Sequence, residues 1–402
     1  MSPSPRVPVL IFGAHLAALG VLRVLARHGV ECYVADETSN IIVRSRWYRP
    51  TEQTLIESPD SGALAAFLES LSLPRAVLIA CSDQWALAVA GLPEELRERF
   101  PASIASREVI EQLVDKDQFR ALVERLDIPR PRTHLISEPG DLDAVTDEEL
   151  VSGFLKPTES HLHNRRFGTK GFFVHSRAEA VQRIEQARGA GITFMLQDWI
   201  PGGLGNTIII DGFVDRSGAI VSMGARRRVR MEPPRIANTC LDVTIPLAEV
   251  EEAVPALRKL LAEVGYRGIF MVEFKRDDRD GVYKIIEVNA RPFWLISHVV
   301  RSGLDLPWMS YHDAQGLPVP ASTSLQVGRY GMYEILDATA IARAWRSTRQ
   351  PDGPVLRPWL LGDRCLFWWR DPMPAAAAVW KSIGRRLDRS RARLRRTAAP
   401  QP

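Results

Sequence analysis

Apolar residues enter this chain as short runs that alternate with stretches of helical spacing. Val7 to Phe12 is an apolar run closed by Gly13; apolar positions then recur at helical spacing from Leu16 to Arg27, and Gly29 stops them. A second run, Val30 to Ala35, ends at Asp36. A third, Ala76 to Ala80, follows a helical segment around Leu64 to Leu71 and leads into Ser82 and Asp83. Strands alternating with helices predict a parallel sheet covered on both faces. Residues 106–127 read as two helical segments meeting at Asp115-Lys116, and Ile128-Pro129-Arg130-Pro131 breaks the pattern. Strands are then predicted at Phe154 to Pro157, Gly171 to Val174 and Thr193 to Ile200, around a helix from Arg177 to Ala187. A hairpin follows, with arms Thr207 to Val214 and Ala219 to Met223. Beyond it, a helix from Leu247 to Val264 precedes the strands Ile269 to Lys275 and Val282 to Val288. After Pro320 the periodicity blurs: Pro351 to Pro358 reads as a linker and Met373 to Arg396 as a last helix.

Composition narrows the class. The chain has 402 residues, 46% hydrophobic and 25% charged, which suits two or three globular domains. A formal charge of +4 is too small for a surface that binds nucleic acid throughout, so no nucleic-acid partner is expected. The charge is unevenly placed. Lys381 to Arg396 holds eight basic residues and one acid, so this tail carries +7 and the remainder −3. Four cysteines stand far apart without metal spacing, which reads as reduced thiols in a cytoplasmic protein. No window reaches 18 uninterrupted apolar residues, and His15, Gly20 and Arg23 interrupt the first apolar stretch; neither a bilayer span nor a signal peptide is expected.

Gly13 after the first strand and Asp36 after the second invite a dinucleotide reading. His15 stands where a glycine would let the backbone approach a pyrophosphate, so a packing turn is the favoured reading. The sharper signal is Met271-Val272-Glu273-Phe274-Lys275, a turn, then Ile286-Glu287-Val288-Asn289-Ala290-Arg291. A three-residue loop of Arg279, Asp280 and Gly281 sets Glu273 opposite Glu287 in an antiparallel pair, with Asn289 on the same face. Residues two apart on a strand lie roughly 6.6 Å apart, so Glu287 and Asn289 can flank metal ions about 4 Å apart. Two carboxylates and an amide are oxygen donors that suit Mg²⁺. Both strands are otherwise apolar, which favours a functional face over a solvated hairpin. Arg291 adds a planar cation suited to phosphoryl chemistry.

These residues resemble a known family. Glu287-Val288-Asn289-Ala290-Arg291, Asp115-Lys116 before a helix, Phe154-Leu155-Lys156-Pro157 and Leu196-Gln197-Asp198-Trp199-Ile200-Pro201-Gly202 occur in the order and spacing of the ATP-grasp superfamily, over roughly residues 7 to 320. Ser82-Asp83 and the arginine cluster Arg226 to Arg230 before Pro233-Pro234 make the chain most similar to the D-aspartate ligase and carboxylate-amine ligase branch. The resemblance implies an α/β architecture: a Rossmann-like parallel-sheet domain over 1–112, an α+β ATP-grasp domain over 113–320 with its lid at about 150–200, and a small C-terminal extension over 321–402.

It also implies roles. Lys116, Lys156 and Lys170 are expected to contact ATP phosphates. Gln197, Asp198, Trp199 and Ile200 are expected to line the adenine, with core packing the alternative for Trp199. Glu273, Glu287 and Asn289 are expected to hold two Mg²⁺, with Mn²⁺ as a substitute. Arg291 and an arginine such as Arg226 or Arg228 are expected to neutralise developing charge. Ser82, Asp83 and His298 are weaker candidates for substrate contacts. Two departures stand out. The lid, glycine-rich in many relatives, here offers the cations Arg165, Arg166 and Lys170, and Asn206 stands near where an acid often holds the ribose. The implied activity is ATP-dependent joining of a small-molecule carboxylate to an amine, amino acids among the candidates, through an acyl phosphate with release of ADP and phosphate. A nucleotide-binding regulatory or scaffold protein without turnover is the alternative. Tryptophans at 345, 359, 368, 369 and 380 precede the basic tail. Trp359, Trp368 and Trp369 are expected to pack a C-terminal subdomain onto the body, and contact of the basic helix with a membrane surface or a protein stays open, as does a homodimer.

Overall fold

A computed structural model describes residues 6–13, 15–35, 41–53, 60–158, 163, 166–234, 238–322, 325–347 and 349–384. Asp36, the lid position Arg165 and the tail from 385 onward lie outside the described residues.

Three short strands, β1 (Val9–Phe12), β2 (Cys32–Ala35) and β3 (Val77–Ala80), form a parallel sheet in the order β2-β1-β3. All but Tyr33 are buried, as the continuous apolar runs require of a sheet covered on two faces. The helix Leu16–Arg27 buries ten of its twelve residues between this sheet and the later helices Ile296–Arg301 and Leu306–Ala314. Gly13 turns the chain between β1 and that helix at φ +102°, a conformation a side chain disfavours. At the end of β3 the Ser82 hydroxyl accepts a hydrogen bond from the Trp85 amide at 3.2 Å and caps the helix Asp83–Ala90.

A small antiparallel sheet follows, with β4 (Thr133–Ile136), β5 (Gly153–Pro157) and β6 (Phe194–Asp198) in the order β4-β6-β5. The expected strand at Gly171 to Val174 does not form. Only Phe172 bridges to Leu155, because Gly171, at φ +152°, leaves the extended conformation that a ladder needs.

The larger sheet has seven strands: β7 (Thr207–Val214), β8 (Ile220–Glu232), β9 (Asn238–Ile245), β10 (Gly268–Arg276), β11 (Tyr283–Asn289), β12 (Tyr330–Met332) and β13 (Asp363–Arg364). Their order is β11-β10-β7-β8-β9-β12-β13. β8 runs well past its predicted end at Met223, so the arginine cluster is strand. The predicted helix from Leu247 begins as a 3₁₀ turn, Leu247–Ala253, kinked at Val250; the α-helix itself is Val254–Glu263, with Pro255 in its first turn. One face of the sheet, with Ile208, Ile210, Phe270, Val272 and Phe274, shares a core with Phe12, Leu78 and Trp85 of the N-terminal part. On the other face Phe213 and Ile269 pack with Phe293, Ile296 and Met309, and the polar part beside them carries the candidate chemistry.

The described residues between 325 and 384 are built into this body. β12 and β13 extend the large sheet, and a helix, Leu356–Leu361, occupies part of the predicted linker. Trp368 is buried and the Trp359 indole donates to Asp337 at 2.7 Å, as packing requires, but Trp369 turns outward. The four cysteines are buried and free, and burial pushes Cys32 and Cys81 up to about 12, so these thiols stay protonated. No described helix is long and apolar enough to cross a membrane.

Candidate active site

The acidic pair forms as expected, by a different route. Glu273 lies directly opposite Glu287. Near the turn, however, Arg276 pairs with Tyr283 and Phe274 with Ile285, a register that by itself would set Glu273 against Ile286. A β-bulge between Phe274 and Glu273 absorbs Ile286 and restores the pair. The burial pattern records it: Ile285 and Val288, three positions apart, both face the core, which simple alternation forbids.

The turn before β11 is strongly fixed. Asp277 is buried and accepts from Arg279 Nη2 at 2.6 Å and from Lys284 Nζ, and these charge-assisted bonds hold its carboxyl well below the usual range. Arg279 reaches on to Asp198 on β6 at 2.7 Å. Asn206 donates to the Arg276 carbonyl at 3.0 Å and to Asp278 at 2.6 Å. Asp198 and Asn206 therefore brace the hairpin in this structure.

Around the acids the cations converge. Arg228 on β8 donates to Glu273 at 2.6 Å and to the Thr239 hydroxyl at 2.8 Å. Lys156 on β5 acts electrostatically on both acids, and so does Lys170, whose Nζ donates to Asn238 at 2.8 Å. Burial, opposed by Arg228 and reinforced by repulsion from Glu287, raises Glu273. Glu287 keeps an exposed side chain; the desolvation imposed by the groups crowded around it would raise that carboxyl, but Lys156, Lys170, the Asn289 amide and Arg228 outweigh this and lower it. Asn289 donates to Glu287 at 3.4 Å. Two facing carboxylates and an amide, set among more cations than they can neutralise, suit a divalent cation together with a polyanion.

Next to the acids lies an aromatic wall. Trp199 meets Phe173 at 5.0 Å between ring centres, Phe173 meets Phe154 at 5.0 Å, and Lys275 Nζ sits 4.8 Å from the Trp199 ring. Lys275 also donates to the Ile200 carbonyl at 2.6 Å. The Asp198 amide donates to the Arg132 carbonyl at 2.8 Å, and Gln197 makes a long bond of 3.5 Å to Thr133. Lys275 and Phe173 were not among the sequence candidates. Lys275 was legible as the residue two beyond Glu273, hence on its face; Phe173 was not, because it lies outside any strand.

From the N-terminal sheet, Asp83 reaches into the same region. Arg291 grips it with two bonds, Nε to Oδ1 at 2.7 Å and Nη2 to Oδ2 at 3.0 Å, and Ser82 is its chain neighbour. The carboxyl ends of β3 and β11 thus meet, where ligands of open α/β sheets gather. Lys116, at the start of the helix Lys116–Arg125, donates to the carbonyls of Pro157 and Thr158 at the end of β5.

This arrangement can be set beside known proteins. No family model matches the sequence. D-aspartate ligase from Enterococcus faecium is 29% identical over 239 residues, 57% of this chain, and the chain spans about half the length of that curated relative, 56%. N5-carboxyaminoimidazole ribonucleotide synthetase, solved as an ADP complex, superposes with a TM-score of 0.65 at 14% identity over 86% of this chain and 85% of its own. L-amino acid ligase from Bacillus licheniformis gives 0.58 at 13% identity over 77% and 74%. The fold is ATP-grasp.

Two candidates stand apart from the open face of this fold. Arg226 is completely enclosed: its guanidinium takes both oxygens of Asp211 at 2.6 and 2.8 Å, pairs with Asp242, and stacks on Phe293. With its charge spent inside, it is a structural counter-ion, and Arg228 is the arginine that faces the acids. His298 is also fully buried, 2.9 Å from Asp363, which Arg329 pairs at 2.7 Å. It cannot touch a substrate without the fold opening.

Proposed function

We propose that this chain is an ATP-dependent carboxylate-amine ligase that forms an amide through an acyl phosphate. The observation that carries the reading is the cross-strand pair Glu273 and Glu287, ringed by Arg228, Lys156 and Lys170, with Arg291 acting on Glu287 by charge while it grips Asp83. The similarity to D-aspartate ligase over 239 residues and a fold shared with ligases support it.

A carboxylate is a poor acyl donor, so its oxygen attacks the γ-phosphorus of ATP and ADP leaves; the amine then attacks the acyl carbon and phosphate leaves. Mg²⁺, when bound, would be held by Glu273, Glu287 and Asn289 and would neutralise phosphate oxygens. Lys156, Lys170 and Arg228 hold the transferring phosphoryl group by charge alone, which is most of what this chemistry asks of a protein. Trp199 and Phe173, packed edge to face, give the adenine an apolar wall, with the Lys275 ammonium over the Trp199 ring. Asp83 fixes the Arg291 guanidinium toward the acyl group, and Ser82 lies beside the incoming substrates. No nucleophilic side chain is required.

The test is product analysis with Mg²⁺, ATP and a panel of amino acids and small carboxylates. ADP and inorganic phosphate are expected only when a carboxylate and an amine are both present. AMP and pyrophosphate would exclude the acyl phosphate, and nucleotide binding without turnover across the panel would point to a regulatory protein.

A further inference from the structure

We propose that the outer face of the helix over 373–384 docks on an anionic phospholipid surface, which the basic sequence after residue 380 selects by its charge. The helix is apolar on the wrong side for a soluble domain. Its small residues face the protein: Ala378 is buried and Ala375 packs against the core that holds Val9, Leu19 and Cys365. Its large residues face outward, with Met373 56%, Val379 50%, Trp380 79% and Ile383 48% exposed. At about 100° per residue these four and Ala376 fall within an arc of roughly 120°, and no charged residue lies in it. An amphipathic helix that merely covers a domain turns its bulky apolar residues inward. Just before the helix, Trp369 is 87% exposed, its ring resting on Phe367 at 4.8 Å. None of these residues takes part in the nucleotide site.

Charge selects the occupant. From Lys381 to Arg396 the sequence carries eight basic residues and one acid. A second copy seated on the patch would bring two such segments together, and their repulsion opposes pairing. An anionic bilayer instead neutralises them while the tryptophans and aliphatic side chains enter its headgroup boundary. The residue types agree, since tryptophan beside aliphatic side chains and arginine is the composition of helices that lie in the interface. In sequence Leu387, Arg391 and Leu394 follow Trp380 and Ile383 at helical spacing.

The full chain is sedimented with vesicles of phosphatidylcholine alone and with vesicles of equal parts phosphatidylcholine and phosphatidylglycerol. Binding is expected to the anionic vesicles and to fall about tenfold in high salt, where the charges are screened. The double change Trp380→Ser with Ile383→Ser, and separately Met373→Ser with Val379→Ser, are each expected to lower binding about tenfold by removing apolar area. Their thermal midpoints are expected to match the unaltered chain, because these side chains are exposed. Equal binding to both vesicle types, no loss in either double variant, or sedimentation of a dimer that Trp380→Ser dissolves would overturn the proposal.

Discussion

Replacing Glu287 by glutamine is expected to lower turnover by about 10³-fold and to leave the thermal midpoint unchanged. The side chain sits on the edge strand of the large sheet and is solvent-accessible, and no ion pair anchors it among the described residues, so the fold asks little of its charge. Glutamine keeps its shape and can still meet the Asn289 amide. What disappears is a hard anionic oxygen and the negative charge that Lys156, Lys170 and Arg228 surround. Glu273→Gln is expected to combine a smaller loss of turnover with a loss of stability, because Arg228, itself nearly buried, would keep its guanidinium 2.6 Å from a neutral group. Steady-state ADP release as a function of Mg²⁺, beside thermal unfolding, separates the two. Near-normal turnover of Glu287→Gln at low millimolar Mg²⁺ would remove the acidic pair from the proposed machinery.

That pair also shows how far the sequence was legible. Alternating apolar and acidic positions placed Glu273, Glu287 and Asn289 on one face, and period two is strict enough for this to survive. The loop guess behind the pairing did not: the turn is longer than three residues, and the bulge at Ile286 compensates for it. Nothing in the spacing announces a bulge; it follows from Ile285 and Val288 both being driven into the core. The arginines show a different limit. Alternation puts Arg226, Arg228 and Arg230 on the same face, and only tertiary partners tell them apart: Asp211 and Asp242 enclose the first, Glu273 meets the second, and Asp337 takes the third. Such partners come from strands and helices that no local pattern pairs. The same holds for Asp83 and Arg291, 208 positions apart in sequence and joined by two hydrogen bonds in space.

The stretch after 320, which periodicity left blurred, carries the second large expectation. Asp371→Ala is expected to destabilise the chain by about 3–5 kcal/mol. Arg23, in the middle of the first long helix and fully buried, donates Nε to Asp371 at 2.8 Å. The same guanidinium donates to the carbonyls of Cys365 at 2.9 Å, Leu366 at 2.8 Å and Asp371 at 2.8 Å. Asp371 in turn accepts from the Ser45 hydroxyl at 2.8 Å and the Arg46 amide at 2.9 Å. Three segments far apart in sequence therefore close around one ion pair. Removing the carboxylate leaves a guanidinium that water cannot reach and two donors without an acceptor. Asp371→Asn, which keeps an acceptor, is expected to cost less, and Arg23→Met combined with Asp371→Leu to recover part of the loss, since an apolar pair removes the stranded charge with its partner. Ending the chain at Ala378 spares this knot and takes away only the exposed end of the helix and the basic tail. That shortened chain is expected to unfold at the same denaturant concentration as the full one and to keep its ADP release. If Asp371→Ala unfolded with an unchanged midpoint, or the shortened chain failed to fold, the closure would lie in the tail and not in the Arg23–Asp371 pair.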